Sequence, residues 1–108
     1  MADKQKSNFK TLVRFISEIA DLYFMALTRK PKETFSEVDE ELSDYELFVV
    51  RVRKAYSRLN QEEKKIINND FFYQEYPDWW KKLYTKSTYY RLKQKSMIRF
   101  KEVLEDEI

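Results

Sequence analysis

The run TKSTYYRLKQKSMIRF, Thr85 to Phe100, holds most of the side chains in this sequence that could recognise a ligand. Spaced at 100° per residue, its positions separate onto two faces of a helix. Ser87, Thr88, Arg91, Gln94, Lys95 and Ile98 gather on one face. Arginine can pair with the edge of guanine and glutamine with that of adenine, and short hydroxyl side chains at a helix start can bond phosphates. Lys81, Lys82, Lys86, Lys93 and Arg99 surround this face, so a salt-dependent contact with the two strands of a DNA duplex is the chemistry it suits. The opposite face collects Tyr89, Leu92, Ser96, Phe100 and Val103, flanked by Tyr90, Met97 and Leu104, and suits packing on a core.

Bond-making chemistry has little to work with. Histidine, cysteine and glycine are all absent. The commonest general base, the commonest metal ligand, the best thiol nucleophile and the glycine-rich phosphate loops are therefore missing. Glu62 and Glu63 are adjacent, so on a helix they do not face each other, and helix capping accounts for them better than catalysis. The expectation is a protein that acts by binding, with no enzymatic activity, cofactor or metal.

Charge is segregated along the chain. Residues 36–48 carry six acids and no base, whereas from Val49 to Phe100 there are 13 Lys or Arg against five acids. Such asymmetry points to an anionic partner for the basic part. The acidic stretch lacks the alternating oxygen ligands and central glycine of a calcium loop, and reads as a solvated linker or short helix. The aromatic cluster Phe71, Phe72, Tyr73, Tyr76, Trp79, Trp80 and Tyr84 could stack on single-stranded nucleic acid. Its helical spacing reads as core instead, with Trp80 and Tyr73 the members expected at the surface.

These features need a scaffold, and composition favours an all-α one. Without glycine, tight β-turns are hard to build, while helices can be joined through Ser, Asn, Asp and Pro. At 108 residues the expectation is one domain of four to five helices, with an N-terminal helical part, residues 1–58, and a helix-turn-helix-like part, residues 59–108. A first helix from Asn8 to Thr28, capped by Ser7, presents a wide apolar stripe: Phe9, Leu12, Val13, Phe15, Ile16, Ile19, Ala20, Tyr23, Phe24 and Leu27. That width calls for more than one neighbour; a homodimer surface is the alternative to core. Pro31 ends the helix. Ser43 with Glu46 opens a second, Asp44 to Arg58, whose inner stripe is Tyr45, Phe48, Val52, Ala55, Tyr56 and Leu59. Asn60 with Glu63 repeats the capping-box pattern for a third, QEEKKIINNDFFYQE, broken by Pro77. A short fourth helix, WWKKLY, follows, and Ser87 or Thr85 caps the fifth. No apolar window is long enough to span a membrane and the start has no apolar signal core, so a cytoplasmic location is expected.

A short helix, a brief turn and a longer basic helix make up a helix-turn-helix, whose second helix enters the major groove. In that arrangement Trp79 and Leu83 would pack on Leu92 and Ser96. From Leu59 to Leu104 the chain resembles region 4 of sigma-70-type factors and the ArpU-type phage transcription regulators. LNQEEKKII matches the opening helix of that pattern, Trp79 and Leu83 the two apolar residues of its short helix, and YYRLKQKSMIRF its recognition helix. The resemblance puts Leu92, Ser96, Met97 and Phe100 at the family's apolar positions and Ser87, Thr88, Arg91, Gln94 and Lys95 at its DNA-facing ones. The turn lacks the glycine common in sigma factors, and two tryptophans stand where smaller aliphatic residues are usual. NDFFYQEYPDWWKKLYTKSTYYRLK also resembles a small mollicute protein family with aromatic-rich tails of this kind. The resemblance implies a small DNA-binding transcription regulator or accessory transcription factor. The alternative is a protein-interaction adaptor, docking RNA polymerase or another transcription protein, that uses the helix-turn-helix as a scaffold.

Overall fold

The computed structural model describes the backbone of residues 2–28 and 44–107, with side chains from Phe9 onward. Among these residues all regular structure is helical. Helix α1 is Ala2–Thr28, α2 is Asp44–Ser57, α3 is Gln61–Ile67 and α4 is Lys86–Asp106, and a π-helical turn, Asn68–Phe72, runs on from α3. The all-α class expected from composition is what forms, packed around a single apolar core.

Helix α1 starts at Ala2 rather than Asn8, so Ser7 lies within the helix instead of capping it. The segment ADKQKSN contains no proline or glycine to stop it. Leu12, Ile16, Ala20 and Tyr23 recur three or four residues apart and are buried, with Phe9, Val13, Phe15, Ile19 and Phe24 packed partly around them. Leu27, the last member of the expected stripe, is 41% exposed. The stripe is wide because α1 touches α2, α4 and the π-helical turn.

Helix α2 buries Val52 and Ala55 as expected, and Val49 as well, with Leu59 entering the core just beyond its end, whereas Tyr45, expected on the inner stripe in the first turn, is 49% exposed. Asp44 and Glu46 stand in its first turn, where carboxylates complement the helix dipole. Ser43, Pro31 and most of the acidic stretch lie outside the described residues. The predicted capping box at the next helix is present in both directions. Asn60 Oδ1 accepts from the Glu63 N–H at 2.8 Å, and Glu63 Oε1 accepts from the Asn60 N–H at 2.8 Å. Such a cap stabilises a helix start by roughly 1 kcal/mol.

Two expectations fail after Ile67. The third helix does not stay α-helical to Glu75: the Tyr73 N–H reaches back five residues to the Asn68 carbonyl at 2.8 Å. The Asn69 side chain takes the Lys65 carbonyl at 2.8 Å, a local bond of the kind that loosens an α-helix. The widened turn sends both Phe71 and Phe72 inward, and Phe72 meets Tyr23, Phe24 and Phe100 in tilted or edge-to-face contacts. Further on, WWKKLY is a succession of turns, not a helix. Its backbone bonds run from Trp79 to Tyr76, Lys81 to Asp78 and Leu83 to Trp80, with one four-residue return from Tyr84 to Trp80. The carboxy-terminal unit is thus α3 with its π extension, a strap of turns over residues 73–85, and α4.

At the centre of the molecule Ile16, Ile67, Met97 and Phe100 are fully enclosed. Each such side chain contributes about 1.5–3 kcal/mol relative to exposure. Ala20, Ala55 and Ser96, all buried, let the helices approach closely around them.

Candidate nucleic-acid interface

The geometry of the basic face begins at its cap. Thr85 has extended backbone angles, and its Oγ1 accepts from the Thr88 N–H at 3.2 Å. Thr85, not Ser87, therefore sets where α4 starts. Its inner face follows the predicted pattern: Tyr89, Ser96, Met97, Phe100, Val103 and Leu104 are buried and Leu92 is half-buried. Tyr90 is the exception at 42% exposed.

On the outer face Lys86, Ser87, Arg91, Lys95, Ile98 and Arg99 are exposed, and Thr88 and Gln94 are half-buried. Part of Thr88 is already engaged, because its hydroxyl accepts from the Thr85 hydroxyl at 3.0 Å. Lys81 and Lys82 are exposed on the strap just before the helix. Two of these cations have carboxylate neighbours, Lys81 with Asp78 at 3.4 Å and Arg99 with Glu102 at 3.9 Å. Both are surface pairs of little energetic weight. Among the described residues Lys82, Lys86, Arg91 and Lys95 have no carboxylate within 4 Å. Lys86, Arg91 and Lys95 stand on the first three turns of α4 and Lys82 on the strap before it, a set of uncompensated cations.

Lys93 does not belong to that set. Its side chain is only 16% exposed, its ammonium lies 3.3 Å from Asp70, and it sits over the rings of Phe71 and Tyr89. Lys93 is thus removed from the set of phosphate-contacting lysines expected from the sequence. Lys93 lies about 100° around the helix from Gln94, on the side turned toward the π-helical turn, where its long side chain reaches the carboxylate of Asp70.

Asp70 is the centre of an arrangement that helical periodicity does not reveal. Its side chain is 8% exposed. It accepts from the Trp79 indole N–H at 2.8 Å and from the Tyr89 hydroxyl, and it pairs with Lys93. The Trp80 ring stacks on Tyr89, centroids 4.2 Å apart and nearly parallel, while Trp79 meets Tyr84 and Tyr89 edge-on. Tyr84 donates to Glu62 on α3 at 3.0 Å. Burial first, then the hydrogen bond to Asp70, pushes the Tyr89 phenol well above its ordinary range. Burial, then the bond to Glu62, raises Tyr84 as well.

This node, not a short helix, fastens the strap to α4. Leu83, expected to pack on Leu92 and Ser96, is 56% exposed, and Trp79 packs on Tyr89 and Asp70 instead. Of the aromatic cluster, expected mostly in the core, only Phe71 is buried, while Phe72, Trp79, Trp80 and Tyr84 are half-buried. Tyr73 and Tyr76 are its exposed members, whereas Trp80, expected outside, is half-buried by its stack. The one signal in the sequence is that Asp70 is the single acid in the run IINNDFFYQ, next to two phenylalanines.

Comparison of the chain with protein-family models, with curated proteins and with solved structures finds no match. Among the described residues no group of three or more acidic side chains is placed to hold a metal ion. No helix among them is long and apolar enough to cross a membrane.

Proposed function

We propose that the protein is a small DNA-binding transcription regulator, or a sigma-region-4-like accessory transcription factor, that acts through binding alone. The observation that carries this reading is the set of cations Lys82, Lys86, Arg91 and Lys95, exposed and without carboxylate partners among the described residues. Unneutralised cations on and just before one helix suit a polyanion better than a protein surface of mixed charge. Gln94 and Arg91 lie on the same face, with the side-chain types that read adenine and guanine. Ser87 and Thr88 at the helix start, with Lys81, Lys82, Lys86 and Arg99 around them, serve the phosphates.

The test is a salt-titrated binding measurement on random-sequence duplex DNA, with the double variant Arg91→Ala/Lys95→Ala. Both side chains are exposed, so stability should change by less than about 0.5 kcal/mol for each. Affinity should fall about tenfold or more, and the slope of log K against log salt should flatten by about 1 to 2. Affinity that ignores salt, or that the double variant leaves intact, overturns the proposal. A second reading rests on Ile98, 39% exposed amid the basic side chains. An apolar contact there suits an adaptor that docks RNA polymerase or another transcription protein. That adaptor would recover one stoichiometric protein partner in the absence of nucleic acid.

A further inference from the structure

A cleft that shares no residue with the basic face lies where α1, α2 and the π-helical turn meet. The cleft there has a volume of about 160 Å³. That is close to the ~150 Å³ known to accommodate one benzene ring in a protein interior. Val52, Phe72 and the rings of Tyr56 and Tyr73 make it largely apolar. Tyr56 turns its own hydroxyl away to the Lys64 carbonyl, at 3.2 Å, and so offers the cleft only its ring.

Three residues with polar side chains line this apolar space. The Tyr23 side chain belongs to a residue only 8% exposed, and its hydroxyl accepts from Arg53 Nε at 2.9 Å. Among the described residues that hydroxyl gives its proton to nothing. Arg53 has no carboxylate within 4 Å among them, and the bond to Tyr23 orients the guanidinium while leaving its terminal nitrogens unused. Asn68 completes the set, and its carboxamide makes no hydrogen bond among the described residues. A guanidinium and a phenolic O–H are both donors, and together they call for an anionic acceptor. A ring-sized apolar cleft with a few oriented polar groups has the makeup of a small-molecule site. The π-helical turn supplies both Asn68 and Phe72, and such turns frequently mark functional positions.

We propose that this cleft binds a small carboxylate with a single-ring or branched aliphatic body, its carboxylate on Arg53 and Tyr23 and its body against Val52 and Phe72. The proposal is independent of DNA recognition and stands or falls without it. The experiment titrates the full chain with benzoate, followed by NMR at the Arg53 Nε–H and the rings of Tyr23, Phe72 and Tyr73. Benzyl alcohol serves as the uncharged comparator. The expected result is saturable benzoate binding with a Kd on the order of 1 mM or tighter, and benzyl alcohol at least about tenfold weaker. Arg53→Gln, at an exposed position, should keep the native spectrum and lose benzoate affinity by about tenfold or more. Tyr23→Phe keeps the ring and removes the hydroxyl, and should weaken binding by a smaller factor. Three results overturn the proposal: no saturable shift at these groups, equal affinity for benzoate and benzyl alcohol, or an Arg53→Gln variant that binds benzoate as the native chain does.

Discussion

Helix α4 is held in two different ways along its length. Its second half, from Ser96 on, lies in an apolar core in which Met97, Phe100 and Val103 meet α1, α2 and the π-helical turn. Its first half is tied down by Asp70, through Tyr89 and Lys93 on the helix and Trp79 on the strap. The first attachment is non-directional and grows with the area removed from water. The second is directional and depends on one carboxylate. A core tolerates swaps of similar volume, whereas a polar node requires particular atoms at hydrogen-bond distance. Of the cations that carry the proposed function, Lys86, Arg91 and Lys95 stand on the half held by the node and Lys82 on the strap it fastens.

The largest effect should come from the core. Phe100 is fully enclosed and meets Phe72 edge-to-face at 6.1 Å. Phe100→Ala should lower the unfolding free energy by about 3–5 kcal/mol in chemical denaturation. Amide exchange should quicken in α1, α2 and α4 together, because all three share that core. Asp70→Ala should cost about 2–4 kcal/mol, since it leaves the Lys93 ammonium in a confined site without its partner. Its signature should be local. Tryptophan fluorescence from Trp79 and Trp80 should shift toward that of solvated indole, and the amides of α1 should keep their protection. Replacing both partners, as Asp70→Asn with Lys93→Met, should recover part of the loss because no buried charge is then stranded. If Asp70→Ala also released α1, the two attachments would be one cooperative unit and the comparison would fail.

The same division separates what periodicity reveals from what it hides. Ile16, Val52, Ala55, Met97 and Phe100 were identifiable from helical spacing because burial of an apolar face depends on little else. The Asn60–Glu63 capping box was identifiable because its partners are three residues apart in the chain. Asp70, Trp79, Tyr89 and Lys93 are linked across as many as 23 residues, by side-chain bonds whose partners no local pattern specifies. By local pattern alone, Lys93 therefore reads as one more surface cation. WWKKLY failed for a related reason. Its helical spacing of Trp79 and Leu83 was real, but the indole found a better partner in Asp70 than Leu83 found in any apolar neighbour. Arg53 and Tyr23, 30 residues apart, were invisible on the same grounds.

The smallest of these effects tests the node at a single hydrogen bond. Tyr89→Phe keeps the ring that stacks on Trp80 and removes only the hydroxyl that donates to Asp70. It should cost about 1–2 kcal/mol near neutral pH, less than Asp70→Ala because Lys93 and Trp79 keep their acceptor. The pH dependence gives the comparison its sharper edge. Tyr89 in the folded chain holds its proton well above the ordinary phenol range, through burial and then the bond to Asp70. Its contribution is therefore fully present below the unfolded pKa of about 10 and is lost as pH climbs toward the folded value, because the unfolded chain ionises first. Stability should fall with alkaline pH, and that fall should be shallower in Tyr89→Phe. A phenolate absorbance titration should show one late-titrating tyrosine fewer in the variant, while Phe100→Ala at a pH where it remains folded should keep that late tyrosine. If both variants lose it alike, the bond between Asp70 and Tyr89 depends on the core, and α4 is held in one way rather than two.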